Sequence, residues 1–353
     1  MYRLGNEPMA SSRAYIKNDT KLTGSTAVAG VPLIGITMGD PAGVGPEIIC
    51  RALAELPPAQ RARIIVYGDI KFLQRANTLT KSGLSFSDFG SFSNGRGVSL
   101  VHIPVEQAEL VRDGMMNAAA GTCSYAYIKC AVVAALAGKI SIVVTAPINK
   151  EALHAAGHPF EGHTELLAHL TGAKSSFMLL ASDKLSTIHV STHVSLAGAV
   201  QRVTTERELA AIRVGNTHLK RLGIAQPRIV VAGLNPHSGE NGLFGREEID
   251  YIKPAIRAAQ SEGINVQGPI SGDTVFYRAM RGEFDLVVAQ YHDQGHIPTK
   301  LIAFDTTINV SLGLPILRVS VDHGTAFDIA WKGVARHDNM LATIAYASRL
   351  CMS

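Results

Sequence analysis

Three histidines in this chain, His193, His237 and His292, each follow a short apolar run of the kind that forms a β-strand. The valine-rich run 285–290, just before His292, is the clearest of the three. In an open parallel α/β sheet, groups that follow the carboxyl ends of strands meet in one crevice. Neutral imidazole nitrogens gathered there can share a divalent cation. The spacing therefore predicts a three-histidine metal site, although each histidine alone could instead be a hydrogen-bonded loop residue.

The elements that would position these histidines alternate between strand and helix, which is typical of an α/β protein with mostly parallel strands. The clearest strands are expected at 31–38, 63–67, 98–103 and 141–145. Helices are expected at 46–56, 122–137, 164–170, 205–222, 247–261 and 338–352. The Gly-rich, polar segment 83–97 is typical of a loop, and composition alone marks no domain boundary.

The composition is that of an ordinary globular protein, with 353 residues of which 46% are hydrophobic and 18% charged. This length allows two domains that share a cleft, or one large α/β unit. The formal net charge is only +4, and the Lys and Arg residues are scattered along the chain. We therefore predict no nucleic-acid partner.

The sequence favours a cytoplasmic location without membrane insertion. Residues 1–30 lack the apolar stretch of a secretory signal and are expected to form a flexible leader. The apolar segment 131–136 stops at Gly138 and Lys139, well short of a membrane span. The four cysteines have no C-x-x-C spacing, which favours a reducing compartment.

The segment 35–47 runs from a strand through a glycine-rich turn into a helix. Pro46 suits the first helical position, and Glu47 complements the positive end of the helix dipole. Such a turn can hold an anion on its backbone N–H groups. The glycines do not have the G-x-G-x-x-G spacing, so we predict no Rossmann dinucleotide site. A tight turn without any ligand fits the segment equally well.

Five motifs, in one order, give the chain a specific resemblance to a known family. They are Gly39-Asp-Pro-Ala-Gly-Val-Gly-Pro-Glu47, Gly162-His-Thr-Glu165, Asn235-Pro-His-Ser-Gly-Glu240, Tyr291-His-Asp-Gln-Gly295 and Val321-Asp-His-Gly-Thr-Ala326. Together they resemble the 4-hydroxythreonine-4-phosphate dehydrogenase family of vitamin B6 biosynthesis, over roughly residues 31–345. The resemblance implies a non-Rossmann α/β fold like that of isocitrate and isopropylmalate dehydrogenases, with two α/β domains around a central cleft.

On this resemblance we expect residues 31–150 together with 310–353 to form the first α/β domain. Residues 151–309 would form the second domain, which carries the metal ligands and the dimer interface. The resemblance implies one divalent metal per site (zinc, cobalt, manganese or magnesium), held by the three histidines. One of the three would come from the partner subunit, so that the active site is complete only in a homodimer.

The resemblance also implies a set of side chains that bind an anionic substrate. His163 and Thr164 match the family's substrate-binding pair, and Lys300, Asn309 and Arg318 match its anion-binding group. The guanidinium of Arg318 offers a planar fork for carboxylate or phosphate. Asn309 lies in a strand-like run, where a buried amide is costly without a partner. Taken singly, Lys300 or Arg318 could be a solvated surface charge.

The segment 324–333 resembles the loop with which the related decarboxylating dehydrogenases contact the adenosine half of NAD. Gly324, Thr325, Asp328 and Trp331 are therefore expected at the cofactor. Trp331 stands where a glycine is expected, and it could either stack on the adenine or pack at the domain edge. The resemblance does not choose between NAD and NADP.

His296 departs from the vitamin enzymes, which have an apolar residue at this place. The run Gln-Gly-His-Ile-Pro resembles a branch of the family that acts on other phosphorylated hydroxy acids, such as D-threonate 4-phosphate. A diol dehydrogenase that acts on an aromatic carboxylate is a weaker match. Alternatively, His296 orients His292 or Asp293 through a hydrogen bond.

These observations predict an NAD-dependent, metal-assisted oxidation, with decarboxylation, of a phosphorylated hydroxy acid. The expected substrate is 4-phosphohydroxy-L-threonine, with D-threonate or D-erythronate 4-phosphate as the alternative. Asp273, Asp293 and Lys300 are the candidates for the proton acceptor. A metal-dependent hydrolase or aldolase of a phosphorylated sugar acid would need similar side chains, and a metal or metabolite sensor is a third, less favoured possibility.

Overall fold

A computed structural model of the chain describes residues 32–89 and 97–352. The expected leader, residues 1–30, lies outside the described residues. Residues 90–96 of the expected loop 83–97 also lie outside them. Within the described part, twelve strands joined by helices form one mixed sheet. The prediction of an α/β protein is confirmed.

The strands are short, and most of them are buried. They are β1 (Ile34–Thr37), β2 (Ile64–Gly68), β3 (Phe86–Asp88), β4 (Val98–His102), β5 (Ile142–Thr145), β6 (Phe177–Ala181), β7 (Ser186–His189), β8 (Ile229–Ala232), β9 (Val266–Ile270), β10 (Leu286–Ala289), β11 (Ile308–Leu312) and β12 (Arg318–Val321).

The helices connect these strands and close the chain. They are α1 (Gly45–Glu55), α2 (Pro58–Arg61), α3 (Ile70–Thr80), α4 (Ala118–Leu136), α5 (Lys150–Ala155), α6 (His163–Thr171), α7 (Leu196–Arg202), α8 (Thr205–Arg221), α9 (Lys253–Ser261), α10 (Gly272–Met280), α11 (His292–Ala303) and α12 (Asp338–Met352).

Helix ends follow from local side chains. The amide oxygen of Asn117 accepts the N–H of Ala120 at 2.9 Å, which satisfies a first-turn donor and starts α4 before the expected segment 122–137. The other expected helices lie close to observed ones, with one difference. The expected helix 247–261 is divided into a π-helical turn and α9.

The sheet has the order β3-β4-β2-β1-β5-β12-β11-β6-β7-β10-β8-β9. The first six strands in this order, β3-β4-β2-β1-β5-β12, are parallel to one another. The last four, β7-β10-β8-β9, are also parallel to one another. Between the two groups, β11 is antiparallel to β12 and to β6, and β6 is antiparallel to β7. The two parallel groups therefore point in opposite directions.

One large hydrophobic core extends through both parallel groups. Ile36, Val144, Leu179 and Val288 are all fully buried in it. Removing one such side chain from water contributes roughly 1.5–3 kcal/mol to folding. Because this core is continuous across the change in strand direction, it fixes the loops of one group relative to those of the other.

Helix α4 is longer than the apolar segment 131–136 suggested. Its 19 residues meet the length and composition of a membrane span, and half of its most apolar window is buried within the protein. Tyr127 and Ile128 on this helix are fully buried in the core. Packing against the rest of the protein therefore accounts for the buried half of α4, whereas Val133 and Leu136 are exposed.

The glycine-rich turn between β1 and α1 is buried, and several of its N–H groups donate to acceptors within the protein. The N–H of Asp40 donates to the carbonyl of Pro147 at 2.8 Å, and that of Val44 donates to the carbonyl of Thr325 at 3.0 Å. Gly39 has a φ of 72°, and a Cβ there would lie 2.3 Å from the Pro147 oxygen. Of the two interpretations, the structure supports the tight turn without a ligand.

Candidate active site

A cleft of about 960 Å³ opens at the middle of the sheet, where the strand direction changes. Residues of strands β5, β6, β11 and β12 and of helices α6 and α11 line it. Its basic and imidazole side chains are Lys150, His163, His193, His292, His296, Lys300, Arg318 and His323, and its carboxylates are Glu165, Asp293 and Asp322. This combination can hold an anionic ligand beside a metal.

Arg318, the first residue of β12, is buried at the floor of the cleft with only 3% of its surface exposed. Its guanidinium donates to the Thr145 hydroxyl at 2.7 Å, to the Ser311 hydroxyl at 3.0 Å and to the Asn309 amide oxygen at 3.4 Å. Burial lowers the pKa of Arg318 to about 9. Within residues 32–89 and 97–352, no carboxylate forms an ion pair with it. A buried cation with neutral partners only is well placed to receive an anion.

His163, the first residue of α6, also reaches this floor. Its Nε2 is buried and has no hydrogen-bond partner among the described residues. Burial, and secondarily the charge of Arg318, holds the pKa of His163 well below its usual value. A neutral imidazole with an unpaired buried nitrogen is costly unless a ligand supplies the partner. Thr164 lines the cleft beside it.

Lys300 in α11 forms an ion pair with Asp322, with 3.1 Å between Nζ and Oδ2. Burial raises the pKa of Asp322, although the ammonium of Lys300 opposes this shift. Asp322 was not among the predicted site residues. Its signal was present in the motif that begins at Val321, where a carboxylate follows a strand directly.

The imidazoles of His193 and His292 face each other across the cleft, with 6.0 Å between ring centroids. Nδ1 of His193 lies 3.7 Å from Oε1 of Glu165, and this interaction is the main cause that lowers the pKa of Glu165. Nδ1 of His292 lies 2.7 Å from Oδ1 of Asp293. A carboxylate at Nδ1 fixes an imidazole with Nε2 free for a metal. This donor pair therefore fits a divalent cation.

His237 does not join this pair in the same chain. It lies on an irregular turn, Pro236–Gly242, where its φ is 52° and its side chain is exposed. The N–H of Asn235 donates to Glu248 at 2.7 Å, which ties the turn to the following π-helical turn. The part of the chain that the structure describes contains no group of three His, Cys, Asp or Glu placed to hold a metal. The three histidines that follow neighbouring strands are thus not gathered within one subunit.

Two further histidines lie behind His292. His189, fully buried in β7, has Nδ1 3.1 Å from the carbonyl of Met178 and Nε2 3.1 Å from Nδ1 of His296. Nδ1 of His296 is also 3.0 Å from the carbonyl of His292. The rings of His296 and His292 stack with 3.6 Å between their centroids. Burial lowers the pKa of His189 to about 3 and that of His296 to about 4. The sequence signal for His189 was its place at the end of a strand.

Of the three candidate proton acceptors, Asp293 and Lys300 line the cleft and Asp273 does not. Asp273 is exposed in the first turn of α10. Lys150 also lines the cleft, although none of the five motifs contains it. It begins α5, just after the capping residue Asn149, in the segment that follows β5.

The expected cofactor residues fall into two groups. Gly324 lines the cleft, and Asp328 is exposed. Thr325 and Trp331 are buried, each with 8% of the surface exposed. The carbonyl of Thr325 accepts a hydrogen bond from the N–H of Val44, in the turn before α1. Of these four residues, Gly324 and Asp328 are the exposed ones.

Trp331 packs inside the protein, and this decides between its two interpretations. Its Nε1–H donates to the carbonyl of Pro41 at 2.9 Å, its backbone N–H donates to Glu47, and the guanidinium of Arg75 lies 4.0 Å from its ring centroid. Its φ is 60°, a left-handed value that explains why a glycine is expected at this position. The structure favours packing over stacking on adenine.

Comparison with known proteins places this geometry in a family. The family described as "Pyridoxal phosphate biosynthetic protein PdxA" matches residues 60–347. The chain belongs to this family. A D-threonate 4-phosphate dehydrogenase of Pectobacterium atrosepticum is 45% identical over 324 residues, which cover 90% of this chain and 99% of the relative. A 4-hydroxythreonine-4-phosphate dehydrogenase of Beijerinckia indica is 44% identical over 320 residues, which cover 90% and 94%.

Solved structures agree with this assignment. A 4-hydroxythreonine-4-phosphate dehydrogenase from Klebsiella pneumoniae superposes with a TM-score of 0.83 at 42% identity, covering 93% of this chain and 100% of that one. A terephthalate 1,2-cis-dihydrodiol dehydrogenase from Burkholderia xenovorans gives 0.68 at 33% identity, covering 90% and 98%. The predicted family is confirmed, and so is the prediction of an oxidoreductase that acts on a CH–OH group.

Proposed function

We propose that the cleft carries out an NAD-dependent, metal-assisted oxidation, with decarboxylation, of a phosphorylated hydroxy acid. The observation that carries this proposal is the buried guanidinium of Arg318, which has neutral partners only and shares the cleft with the imidazoles of His193 and His292. A cation of this kind binds a carboxylate or phosphate, and an imidazole pair binds a metal. The names of the relatives point to the same substrate class.

We infer that His193 and His292 of one subunit hold the metal together with His237 of a second copy of the chain. The support is that the first two already share a cleft, whereas His237 is exposed on a turn outside it. The alternative grouping, in which His193 and His237 share a subunit and His292 comes from the other, would separate two imidazoles that already lie in one cleft. A bound zinc, cobalt, manganese or magnesium ion would lower the pKa of the substrate hydroxyl.

The protein side chains then divide between binding and proton transfer. Arg318, Asn309, His163 and Thr164 hold the anionic ends of the substrate, and Lys300 adds a charge at the rim. The hydroxyl proton passes to a carboxylate of the cleft. Oxidation gives a β-keto acid, which loses carbon dioxide, and the resulting enolate takes a proton back.

Two carboxylates and one ammonium are placed for these proton transfers. Asp322, whose pKa is raised by burial, and Asp293 are the acceptors within the cleft. Lys300, which lies 3.1 Å from Asp322, is placed to return a proton to carbon. Asp273 takes no part within its own subunit, because it lies outside the cleft.

We place the cofactor at the open end of the cleft, beside Gly324 and Asp328. A Cβ at Gly324 would meet no atom within 4 Å, so the backbone there is open to a ligand. When bound, the nicotinamide of NAD accepts the hydride. We also retain two domains, 31–150 with 310–353 and 151–309, in the manner of isocitrate and isopropylmalate dehydrogenases, and a cytoplasmic homodimer. The change of strand direction between β12 and β7 supports that division.

For the substrate, D-threonate 4-phosphate is placed ahead of 4-phosphohydroxy-L-threonine. The relatives from Pectobacterium atrosepticum and Salmonella typhimurium, at 45% and 46% identity, are both named for the threonate compound. His296, which the vitamin enzymes were expected to lack, lines the cleft.

The test is a pair of assays on the purified protein with zinc or manganese. Each substrate is mixed with NAD, and the absorbance of reduced nicotinamide is followed while inorganic phosphate is measured in parallel. Reduced nicotinamide without phosphate release is the expected result, with the threonate compound turned over faster. Phosphate release without reduction of NAD would favour the hydrolase. Cleavage of a carbon–carbon bond of the substrate into two products, without reduction of NAD, would favour the aldolase.

A further inference from the structure

Backbone carbonyls fix the tautomers of the two histidines behind the cleft. A carbonyl oxygen only accepts, so Nδ1 of His189, at 3.1 Å from the Met178 carbonyl, carries a proton. Nδ1 of His296, at 3.0 Å from the His292 carbonyl, carries one for the same reason. The contact of 3.1 Å between Nδ1 of His296 and Nε2 of His189 is then a hydrogen bond that His296 donates. The two tautomer assignments rest on different carbonyls, those of Met178 and His292, and are consistent with each other.

The remaining nitrogen of His296 is turned toward the cleft. A neutral imidazole protonated at Nδ1 has its lone pair at Nε2. His296 lines the cleft, its Nδ1 side is bonded inward, and Nε2 is not among the buried unpaired atoms of the described residues. Nε2 therefore offers a hydrogen-bond acceptor to a ligand that lies beside His292.

The packing around this pair holds the ring in place. A Cβ at Gly295 would lie 2.3 Å from Nε2 of His189, so only glycine lets α11 come this close to β7. The His296 ring is stacked on that of His292 at 3.6 Å with 12° between the planes. The hydroxyls of Thr187 and Thr299 meet at 3.2 Å and join the same two elements one turn further on. The acceptor is thus fixed relative to the imidazole of His292.

We propose that Nε2 of His296 accepts a hydrogen bond from a substrate hydroxyl, the one on the carbon between the carboxylate and the oxidised carbon. A lone pair attracts a hydroxyl donor and repels carboxylate and phosphate oxygens, so it also orients the substrate with its anionic ends toward Arg318 and Lys300. His296 is then a specificity-determining residue of the site. This inference rests on the proposed function.

The first test reads the tautomer without any turnover. In protein labelled with ¹⁵N-histidine and loaded with zinc, His296 is assigned by its loss in His296→Asn. The expected spectrum has a protonated Nδ1 and an unprotonated Nε2, and Nε2 responds to D-threonate 4-phosphate but not to its 2-deoxy analogue. A protonated Nε2 in the free protein, or equal responses to the two compounds, overturns the proposal.

The second test uses two variants and the same two compounds. Asparagine mimics Nδ1 of histidine and keeps the inward bonds, whereas glutamine reaches the position of Nε2. His296→Asn should lower kcat/KM about 10- to 100-fold for D-threonate 4-phosphate and no more than about twofold for the 2-deoxy analogue, and His296→Gln should recover part of the loss. Equal losses for both compounds would show a structural role and overturn the proposal.

The two failures are distinguishable. If the wild-type protein reduces NAD with neither compound, the proposed function fails, and the spectrum still reports whether Nε2 recognises the hydroxyl. If the wild-type protein turns over both compounds and His296→Asn affects them equally, the proposed function stands and only the role of His296 falls.

Discussion

At the scale of single residues, the cleft depends on buried side chains that lack a charged or hydrogen-bonding partner in the described part of the protein. Arg318 is the clearest case, because its fork is buried against Thr145, Ser311 and Asn309 and a ligand must supply the anion. The sequence predicted His163, which lies in the motif 162–165, and also Lys300, Asn309 and Arg318, which match the anion-binding group of the family. It missed Asp322 and His189, because one carboxylate or imidazole after a strand does not reveal what lies across the cleft.

Arg318→Lys is expected to weaken substrate binding by roughly 1–3 kcal/mol, because an ammonium cannot replace a bidentate fork. The loss should appear mainly in KM if the contact is equal in the ground and transition states. Steady-state kinetics measure it, with Arg336→Lys, an exposed arginine, as the matched control. Unchanged kinetics in a folded Arg318→Lys protein would remove this residue from the site.

Glu165→Gln is expected to reduce zinc affinity about 10- to 100-fold, because the carboxylate that orients His193 is lost. Titration with a chromophoric zinc chelator measures the affinity directly, and Glu161→Gln, an exposed neighbour, is the control. Added zinc should restore turnover in Glu165→Gln. Wild-type zinc affinity in this variant would contradict the positioning role.

At the scale of elements, strand and helix positions were predictable from apolar periodicity, whereas strand direction was not. The expected strand 141–145 matches β5 closely, because a buried apolar run looks the same in any sheet. That run contains no information on whether its neighbour is parallel. The antiparallel strands β6 and β11, which divide the sheet, therefore appeared only in the structure.

The contact between α8 and the end of β10 makes stability depend on pH. Glu208 is fully buried, and burial raises its pKa from 4.5 to about 8. Neither carboxylate oxygen has a hydrogen-bond donor among the described residues, and the opposing contributions of Gln290 and Arg207 to the pKa of Glu208 are smaller than that of burial. Because the folded pKa exceeds the unfolded one, the stabilisation is complete below about pH 4.5 and is lost as the pH rises through about 8.

Glu208→Gln is accordingly expected to flatten this dependence. Between pH 5 and pH 8 the wild-type free energy of unfolding should fall by roughly 2–4 kcal/mol more than that of the variant. Urea unfolding at a series of pH values measures the difference, and Glu206→Gln, exposed on the same helix, is the control. Parallel pH profiles for wild type and Glu208→Gln would contradict the assignment.

At the scale of the whole molecule, the proposed reaction requires a metal and a second subunit. Chelation should abolish turnover, and zinc, cobalt, manganese or magnesium should restore it, because an imidazole site favours such ions over calcium. Elemental analysis of the treated protein confirms that the metal has been removed. Full turnover by protein shown to be free of metal would exclude the metal-assisted reaction.

The sequence predicted the three histidines as metal ligands, whereas the proposed sharing between subunits, with His237 from the second chain, draws on the folded chain. Each follows a strand, and β7, β10 and β8 are neighbours in the sheet, so one common crevice was the simple expectation. The turn that carries His237 is instead held by Glu248 and leaves that side chain exposed. Such a tertiary contact is not visible in the spacing of the sequence, which is why the proposed grouping differs from one common crevice within a subunit.

Mixing inactive variants tests most directly whether two chains build this dehydrogenase site. If His193 and His292 of one chain meet His237 of the other, His237→Ala and His292→Ala proteins unfolded and refolded together should form heterodimers with one intact site. Free reassortment in a two-fold dimer restores about a quarter of all sites, read as formation of reduced nicotinamide. His193→Ala mixed with His292→Ala should stay inactive. Recovery in that second mixture, or no recovery in the first when heterodimers are shown to be present, would contradict the account.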